Sequence, residues 1–146
     1  MIEVRQATID DVDLIAPLFN DYRVFYKQDF DLKAAEDFIR ERLLKNESVI
    51  FLAFDNDKAV GFTQLYPVFS SVSMKRAWIL NDLFIEASSR GKGVGALLLE
   101  AAKKLGRETE SKYLVLQTQM DNYNAQNLYN KNGWQKLSDW FYEFHL

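Results

Sequence analysis

The 146-residue chain contains no cysteine and a single histidine, His145. The absence of cysteine excludes disulfides, thiolate metal sites, acyl-cysteine intermediates and thiol redox chemistry. With one histidine, a Ser-His-Asp triad and a histidine-based metal cluster are close to excluded. We therefore expect no metal site, and any catalysis has to use carboxylates, hydroxyls, phenols and backbone amides.

The chain also lacks an excess of positive charge and long apolar runs. Eighteen Lys and Arg residues against 21 Asp and Glu give a formal net charge of −3, whereas nucleic-acid-binding proteins usually carry a basic excess. No apolar run reaches the roughly 18 residues of a membrane span, and the N-terminus has no signal-peptide pattern. We therefore expect a cytoplasmic protein without nucleic-acid or membrane partners.

The length and a hydrophobic content of 48% fit one domain over residues 1–146. Periodicity predicts a strand, two helices, three strands, a third helix, a strand, a fourth helix and two final strands within residues 134–146. Thr8 with Asp11 is an acidic form of the capping box and predicts a helix start near residue 9. This order of elements predicts an α/β (α+β) fold, with a mixed sheet flanked by helices.

A glycine loop, Arg90-Gly91-Lys92-Gly93-Val94-Gly95, separates a predicted strand from a strongly amphipathic helix. Its glycines let N–H groups turn toward one point, and the helix start adds unpaired N–H groups, which together suit phosphate. A P-loop is excluded, because no Lys-Ser or Lys-Thr follows. The loop does fit G-x-G-x-x-A, but its position and the short remaining chain disfavour a dinucleotide-binding domain. A solvated surface turn is the alternative without a ligand.

The glycine loop resembles, through Arg90-x-x-Gly93-x-Gly95, the pyrophosphate loop of the GNAT-superfamily N-acetyltransferases. Residues 80–85, Leu-Asn-Asp-Leu-Phe-Ile, are similar to the central strand of that family. The pattern Asn122-x-x-Ala125-x-x-Leu128-Tyr129-x-x-x-Gly133-Trp134 resembles its C-terminal motif. The motifs occur in the family's order and cover residues 78–134.

The resemblance implies transfer of the acetyl group of acetyl-CoA directly to an amine of an unidentified small-molecule or peptide acceptor. It also implies a GNAT-like, mostly antiparallel central sheet of about seven strands in the order βααβββαβαββ, with a V-shaped opening between the fourth and fifth strands. A homodimer is compatible with the resemblance. The alternative is a non-catalytic sensor or accessory module that binds CoA or acetyl-CoA, since Asn81 stands where some members carry glutamate.

The resemblance further implies which residues hold acetyl-CoA. Main-chain groups of the glycine loop would bind the pyrophosphate, and those of the central strand would bind the pantetheine arm. Asn122 matches an asparagine that contacts the cofactor, and it is equally suited to cap the helix that follows. The implied set is Leu83, Phe84, Ile85, Arg90, Gly91, Lys92, Gly93, Val94, Gly95 and Asn122.

Tyr129 is the candidate acid for the leaving thiolate, because a phenol with a reference pKa of about 10 keeps its proton at pH 7. The alternative for Tyr129 is a packed aromatic side chain. Asn81 cannot act as a base, and strand alternation predicts that Asp82 points to the opposite face. Three roles stay open for the candidate catalytic residue Asp82: a base acting through water, an anchor for the acceptor, or a structural hydrogen-bond acceptor. An ordered water chain is a further route for the proton.

The acceptor site is expected between the N-terminal helices and a loop at residues 66–71, as the resemblance implies. Aromatic side chains interleaved with acidic ones can receive a cationic amine. The candidate substrate-binding residues are Tyr22, Tyr26 and Asn81. For the two tyrosines, packing in the core is the alternative, because their spacing is that of a buried helix face.

Overall fold

The computed structural model describes residues 1–146 as one five-stranded sheet with helices on both faces. The strands follow one another across the sheet, β1 to β4 antiparallel and β5 parallel to β4. None of the helices combines the length and apolarity that a membrane crossing requires. The elements are β1 (Ile2–Gln6), α1 (Val12–Phe25), α2 (Leu32–Leu44), β2 (Val49–Asp55), β3 (Lys58–Ser70), β4 (Lys75–Ile85), α3 (Val94–Glu108), β5 (Leu114–Val115) and α4 (Tyr123–Lys131).

The start of the first helical segment confirms the predicted capping box. The Thr8 side chain accepts a hydrogen bond from the Asp10 N–H, and the Asp11 carboxylate accepts one from the Thr8 N–H at 2.8 Å. Arg5 of β1 donates two hydrogen bonds to Asp11, at 2.8 and 2.9 Å. This bidentate contact holds the pKa of Asp11 at about 2 and ties β1 to the helix start.

Neighbouring residues of the central strands contact opposite layers of helices. Leu52 packs with α1 and α2, whereas Ala53 packs with α3. At Gly61 of β3, a Cβ would lie 2.9 Å from the Phe84 carbonyl oxygen and 3.4 Å from the Val94 side chain. Only glycine permits this approach, which brings the start of α3 close to the end of β4.

The expectation of about seven strands is wrong in its last part, because the sheet has five. Residues 134–146 form no strand, and β5 has only two residues. A strand forms only where a neighbouring strand satisfies its N–H and C=O groups. Residues 134–146 pair with no strand, so the order βααβββαβαββ ends after α4.

β4 and β5 pair at only two positions, Trp78 with Leu114 and Ile79 with Val115. From Leu80 to Ile85, β4 has no strand partner on the side of β5. Peptide groups on that edge are therefore available to a ligand. The resemblance implies its V-shaped opening at this place.

Candidate functional site

The glycine loop has the backbone that an anion site needs. Gly91 and Gly93 have φ angles of 80° and 82°, in the left-handed region that favours glycine. A Cβ at either position would meet no atom within 4 Å, so conformation rather than space requires glycine. Gly93 is the N-cap of α3 and offers no side chain to the first turn. The N–H groups of that turn are therefore free for a ligand, at the positive end of the helix dipole.

Side chains in the second half of the loop point elsewhere. Val94 is buried in the core, and a Cβ on Gly95 would lie 2.8 Å from the Leu128 side chain. Gly95 is therefore needed for close packing of α3 on α4. Lys92 Nζ lies 3.6 Å from an Asp55 carboxylate oxygen. A ligand in the loop would meet mainly main-chain groups.

Arg90 connects the loop to β4 and α1. Its Nε donates a hydrogen bond to the Ile85 carbonyl oxygen at 3.0 Å. Its guanidinium carbon lies 5.8 Å from the centre of the Phe84 ring and 5.9 Å from that of Phe25. Arg90 thus holds the loop against the ends of β4 and α1.

A β-bulge at Asn81 overturns the prediction that Asn81 and Asp82 face opposite ways. Gln64 pairs with Asp82 and Leu65 with Leu80, so Asn81 is an extra residue in β4. A bulge interrupts the alternation of side chains. As a result, Asn81 Nδ2 donates a hydrogen bond to Asp82 Oδ1 at 2.9 Å.

Asp82 is a buried carboxyl group, 3% exposed. Gln64 Nε2 donates a hydrogen bond to its Oδ2 at 2.5 Å, and no basic side chain neutralises it. Burial raises the pKa of Asp82, while the hydrogen bonds from Gln64 and Asn81 oppose that rise. The other amide atom, Gln64 Oε1, is buried without a hydrogen-bond partner. The site therefore holds a negative group and an unsatisfied acceptor, both of which suit a ligand with N–H groups.

Tyrosines surround Asp82. Tyr22 donates a hydrogen bond from its hydroxyl to the Asn81 carbonyl oxygen at 3.2 Å, and its ring centre lies 5.0 Å from that of Tyr26. Burial raises the pKa of Tyr22, Tyr26 and Tyr66, and the nearby charge of Asp82 adds to each rise. For Tyr66 the resulting pKa is about 12. The structure thus brings the three predicted substrate residues, Tyr22, Tyr26 and Asn81, next to Asp82.

Tyr129 lies on α4, and Asn122 is the residue just before it. Burial raises the pKa of Tyr129 to about 12, with a smaller contribution from Tyr26. The Tyr129 ring packs on Trp134 at a centre-to-centre distance of 6.1 Å. Asn122 Oδ1 accepts a hydrogen bond from the Ala125 N–H at 3.3 Å, so Asn122 caps α4. The cap leaves the Asn122 amide nitrogen available to a ligand.

The sequence analysis missed Gln64 and misplaced Tyr66. Gln64 is a polar residue inside the buried part of β3. A polar side chain within such an apolar run was the sequence signal that could have indicated a functional residue. The expected loop at residues 66–71 is wrong, because β3 continues until Ser70 pairs with Lys75. Tyr66 therefore lies on a strand, beside the site.

Several known proteins that are similar to this chain are named as acetyltransferases. The acetyltransferase (GNAT) family matches residues 15–134. The "Uncharacterized N-acetyltransferase YhfO" of Bacillus subtilis is 51% identical over 135 residues, 92% of this chain and 91% of that protein. A "Probable acetyltransferase" of Haemophilus influenzae is 34% identical over 113 residues, 77% of each chain. A crystal structure of "a probable acetyltransferase" is 40% identical, covers 99% of this chain and 96% of its own, and superposes with a TM-score of 0.91.

Proposed function

Because the chain belongs to the acetyltransferase (GNAT) family, we propose that acetyl-CoA is its donor and that the acetyl group passes directly to an amine. The observation that carries this proposal is that two backbone segments with free hydrogen-bonding groups lie close together. The uncapped start of α3 lies close to the end of β4, where β4 no longer pairs with β5. One segment suits phosphates and the other suits the amide groups of a pantetheine arm.

The chain's own groups fit this donor. The glycine loop would bind the pyrophosphate through main-chain N–H groups, with Arg90 keeping the loop in place. Main-chain groups of residues 83–85 would bind the pantetheine arm along the free edge of β4. The amide nitrogen of Asn122 would add a donor from α4. Acetyl-CoA supplies an activated acetyl thioester, whose thiolate leaves when the new amide bond forms.

Tyr129 is proposed as the acid that gives a proton to the departing thiolate sulfur. A pKa of about 12 keeps the phenol protonated at neutral pH. Tyr129 lies on α4, and Tyr26 at the end of α1 contributes to this raised pKa. General acid catalysis of this kind contributes about 10²–10⁴ to a rate.

Asp82 and its neighbours are proposed to receive the acceptor amine. A buried carboxylate without a basic partner favours a cation nearby, and the rings of Tyr22 and Tyr26 add an aromatic surface. We assign Asp82 as the group that accepts the proton that the amine loses. Because Asp82 is only 3% exposed, this proton would reach it through a water molecule. The Asn81 amide, oriented by its hydrogen bond to Asp82, would present its oxygen to the amine.

The test is release of free thiol from acetyl-CoA across a panel of amines. The protein contains no cysteine, so every thiol detected comes from the donor. We expect release that depends on one class of amine, with the acetylated amine identified by mass spectrometry. Calorimetry that detects no binding of acetyl-CoA would overturn the assignment of the donor.

A further inference from the structure

Four buried side-chain atoms of the protein have no hydrogen-bond partner, and three of them belong to neighbouring segments. The three are Arg42 Nε near the end of α2, Ser48 Oγ just before β2, and Gln64 Oε1 on β3. Buried polar atoms in native proteins nearly always have a partner. These atoms therefore mark a place where a polar molecule is expected to bind.

The pairing of the strands places these atoms in a row that starts at Asp82. Gln64 pairs with Asp82 on the neighbouring strand β4. Ser48 precedes the first residue of β2, whose partner on β3 is Leu65, so Ser48 stands opposite Tyr66. Gln64 and Tyr66 are two residues apart on one strand, so they share a face at a separation of about 7 Å. The row therefore runs from Asp82 and Gln64 to Tyr66 and Ser48.

Arg42 lies at the Tyr66 end of this row. Burial raises the pKa of Tyr66 to about 12, the charge of Asp82 adds to this rise, and the charge of Arg42 opposes it. The Tyr66 hydroxyl is therefore within reach of both charges. One comes from β4 and the other from α2.

Arg42 keeps donors for a ligand although two glutamates are near it. Its Nη2 lies 2.9 Å from a Glu41 oxygen, and Glu41 also binds Lys45 at 2.6 Å. Glu47 lies 3.2 Å from Nε but not in the direction of a hydrogen bond. Both glutamate side chains are about half exposed, 49% and 48%, and ion pairs of this kind are weak. An oxyanion of a ligand can therefore bind the planar guanidinium.

The unpaired atoms differ in character between the two ends of the row. At one end are acceptors, the Asp82 carboxylate and Gln64 Oε1. At the other end are donors, Arg42 Nε and the Ser48 hydroxyl. A cation with N–H groups suits the first end, and an oxyanion suits the second. One molecule that carries both groups would satisfy all four atoms.

We infer that the acceptor is an amino acid whose amine and carboxylate are separated by a chain, with the amine bound at Asp82 and the carboxylate at Arg42. The inference rests on the proposed function and specifies its substrate class. The chain has to span about 7 Å, the length of two strand residues. A simple alkylamine would leave Arg42 and Ser48 without partners, and a diamine would bring a second cation to Arg42. Both are therefore expected to be poorer acceptors.

The first experiment compares δ-aminovalerate, cadaverine and pentylamine, which have equal chain lengths, by release of thiol from acetyl-CoA. We expect kcat/KM for δ-aminovalerate to exceed that for either other amine by at least about tenfold. Glycine, whose amine and carboxylate are close together, should be a poor acceptor. Equal values for the three amines, or no reaction of δ-aminovalerate, would overturn the inference. Failure of the proposed function would appear instead as no binding of acetyl-CoA in calorimetry.

The second experiment tests whether Arg42 binds the carboxylate. Arg42→Gln should lower the ratio of kcat/KM for δ-aminovalerate to that for pentylamine by at least about tenfold, because only the first carries a carboxylate. Unfolded protein would lower both rates equally, so the ratio does not depend on the folded fraction. Arg40→Gln, at an exposed arginine of the same helix, is the matched control and should keep the wild-type ratio. An unchanged ratio in Arg42→Gln would overturn the inference.

Discussion

At the scale of single residues, the site contains a buried charge whose natural partner is missing from the chain. Asp82 is held by amide hydrogen bonds from Gln64 and Asn81, and no basic side chain reaches it. Amide donors stabilise a carboxylate only in part. A cationic amine beside Asp82 would complete the pairing, and under the proposed function Asp82 would then serve acceptor binding rather than folding.

Asp82→Asn is expected to lower kcat/KM for the amine by at least about tenfold, which corresponds to about 1.4 kcal/mol. Burial raises the pKa of Asp82, so wild-type activity should fall as the pH decreases through this raised pKa, and the variant should lack that dependence. The measurement is the reaction rate as a function of pH. Asp57→Asn, which changes an exposed residue in a turn, is the control. A variant that loses activity and thermal stability together would indicate a purely structural role.

Tyr129→Phe is expected to lower kcat by about 10²-fold or more, because the leaving thiolate loses its proton donor. The Kd for acetyl-CoA should change by less than about twofold, since the substitution removes only a hydroxyl group. Tyr123→Phe is a control on the same helix, with a side chain that is 68% exposed. Wild-type turnover in Tyr129→Phe would exclude Tyr129 as the acid.

Asp11→Asn tests a residue that supports the fold outside the site. Because Arg5 lowers the pKa of Asp11 to about 2, the pair stabilises the folded state fully above about pH 4, the reference value for aspartate. That stabilisation is lost as the pH falls toward 2. We expect a loss of about 1–2 kcal/mol at pH 7 that shrinks toward pH 2. Urea unfolding at several pH values measures it, with the exposed residue varied in Asp21→Asn as the control.

At the scale of elements, the glycine loop and α3 use three glycines for two different reasons. Gly91 and Gly93 provide positive φ angles in open space, whereas Gly95 provides room for Leu128 of α4. The first two shape an anion site. The third sets the distance between α3 and α4, the helix that carries Tyr129.

Gly93→Ala is expected to raise the Kd for acetyl-CoA by more than about tenfold while costing about 1–2 kcal/mol of stability. Gly133→Ala is the matched control, because Gly133 has a φ of 84° and open space like Gly93 but ends α4. It should show a similar loss of stability and normal binding. Equal binding by both variants, measured by calorimetry, would remove the glycine loop from the donor site.

At the scale of the whole molecule, the sheet ends at β5, which pairs with β4 alone and through two residues. The last residues of the chain add no strand to that edge. The wide separation of β4 and β5 beyond those two pairs leaves the end of β4 free beside the start of α3.

The sequence by itself determined the local elements and the parts of the site that lie within them. The capping box at Thr8, the four helices and the first four strands follow from neighbouring residues, as do the glycine loop and the asparagine cap of α4. Such signals act over one or two helical turns or along a single strand. They also carry the family resemblance, which the family match over residues 15–134 confirms.

Only the tertiary structure decided which distant segments meet. The bulge at Asn81 depends on the register between β3 and β4, and it turns two adjacent side chains toward each other against strand alternation. The same register places Gln64 beside Asp82 and extends β3 past Tyr66. Residues 134–146 have the alternation of a strand but form none, because a strand needs hydrogen bonds to a neighbouring strand as well as a suitable sequence.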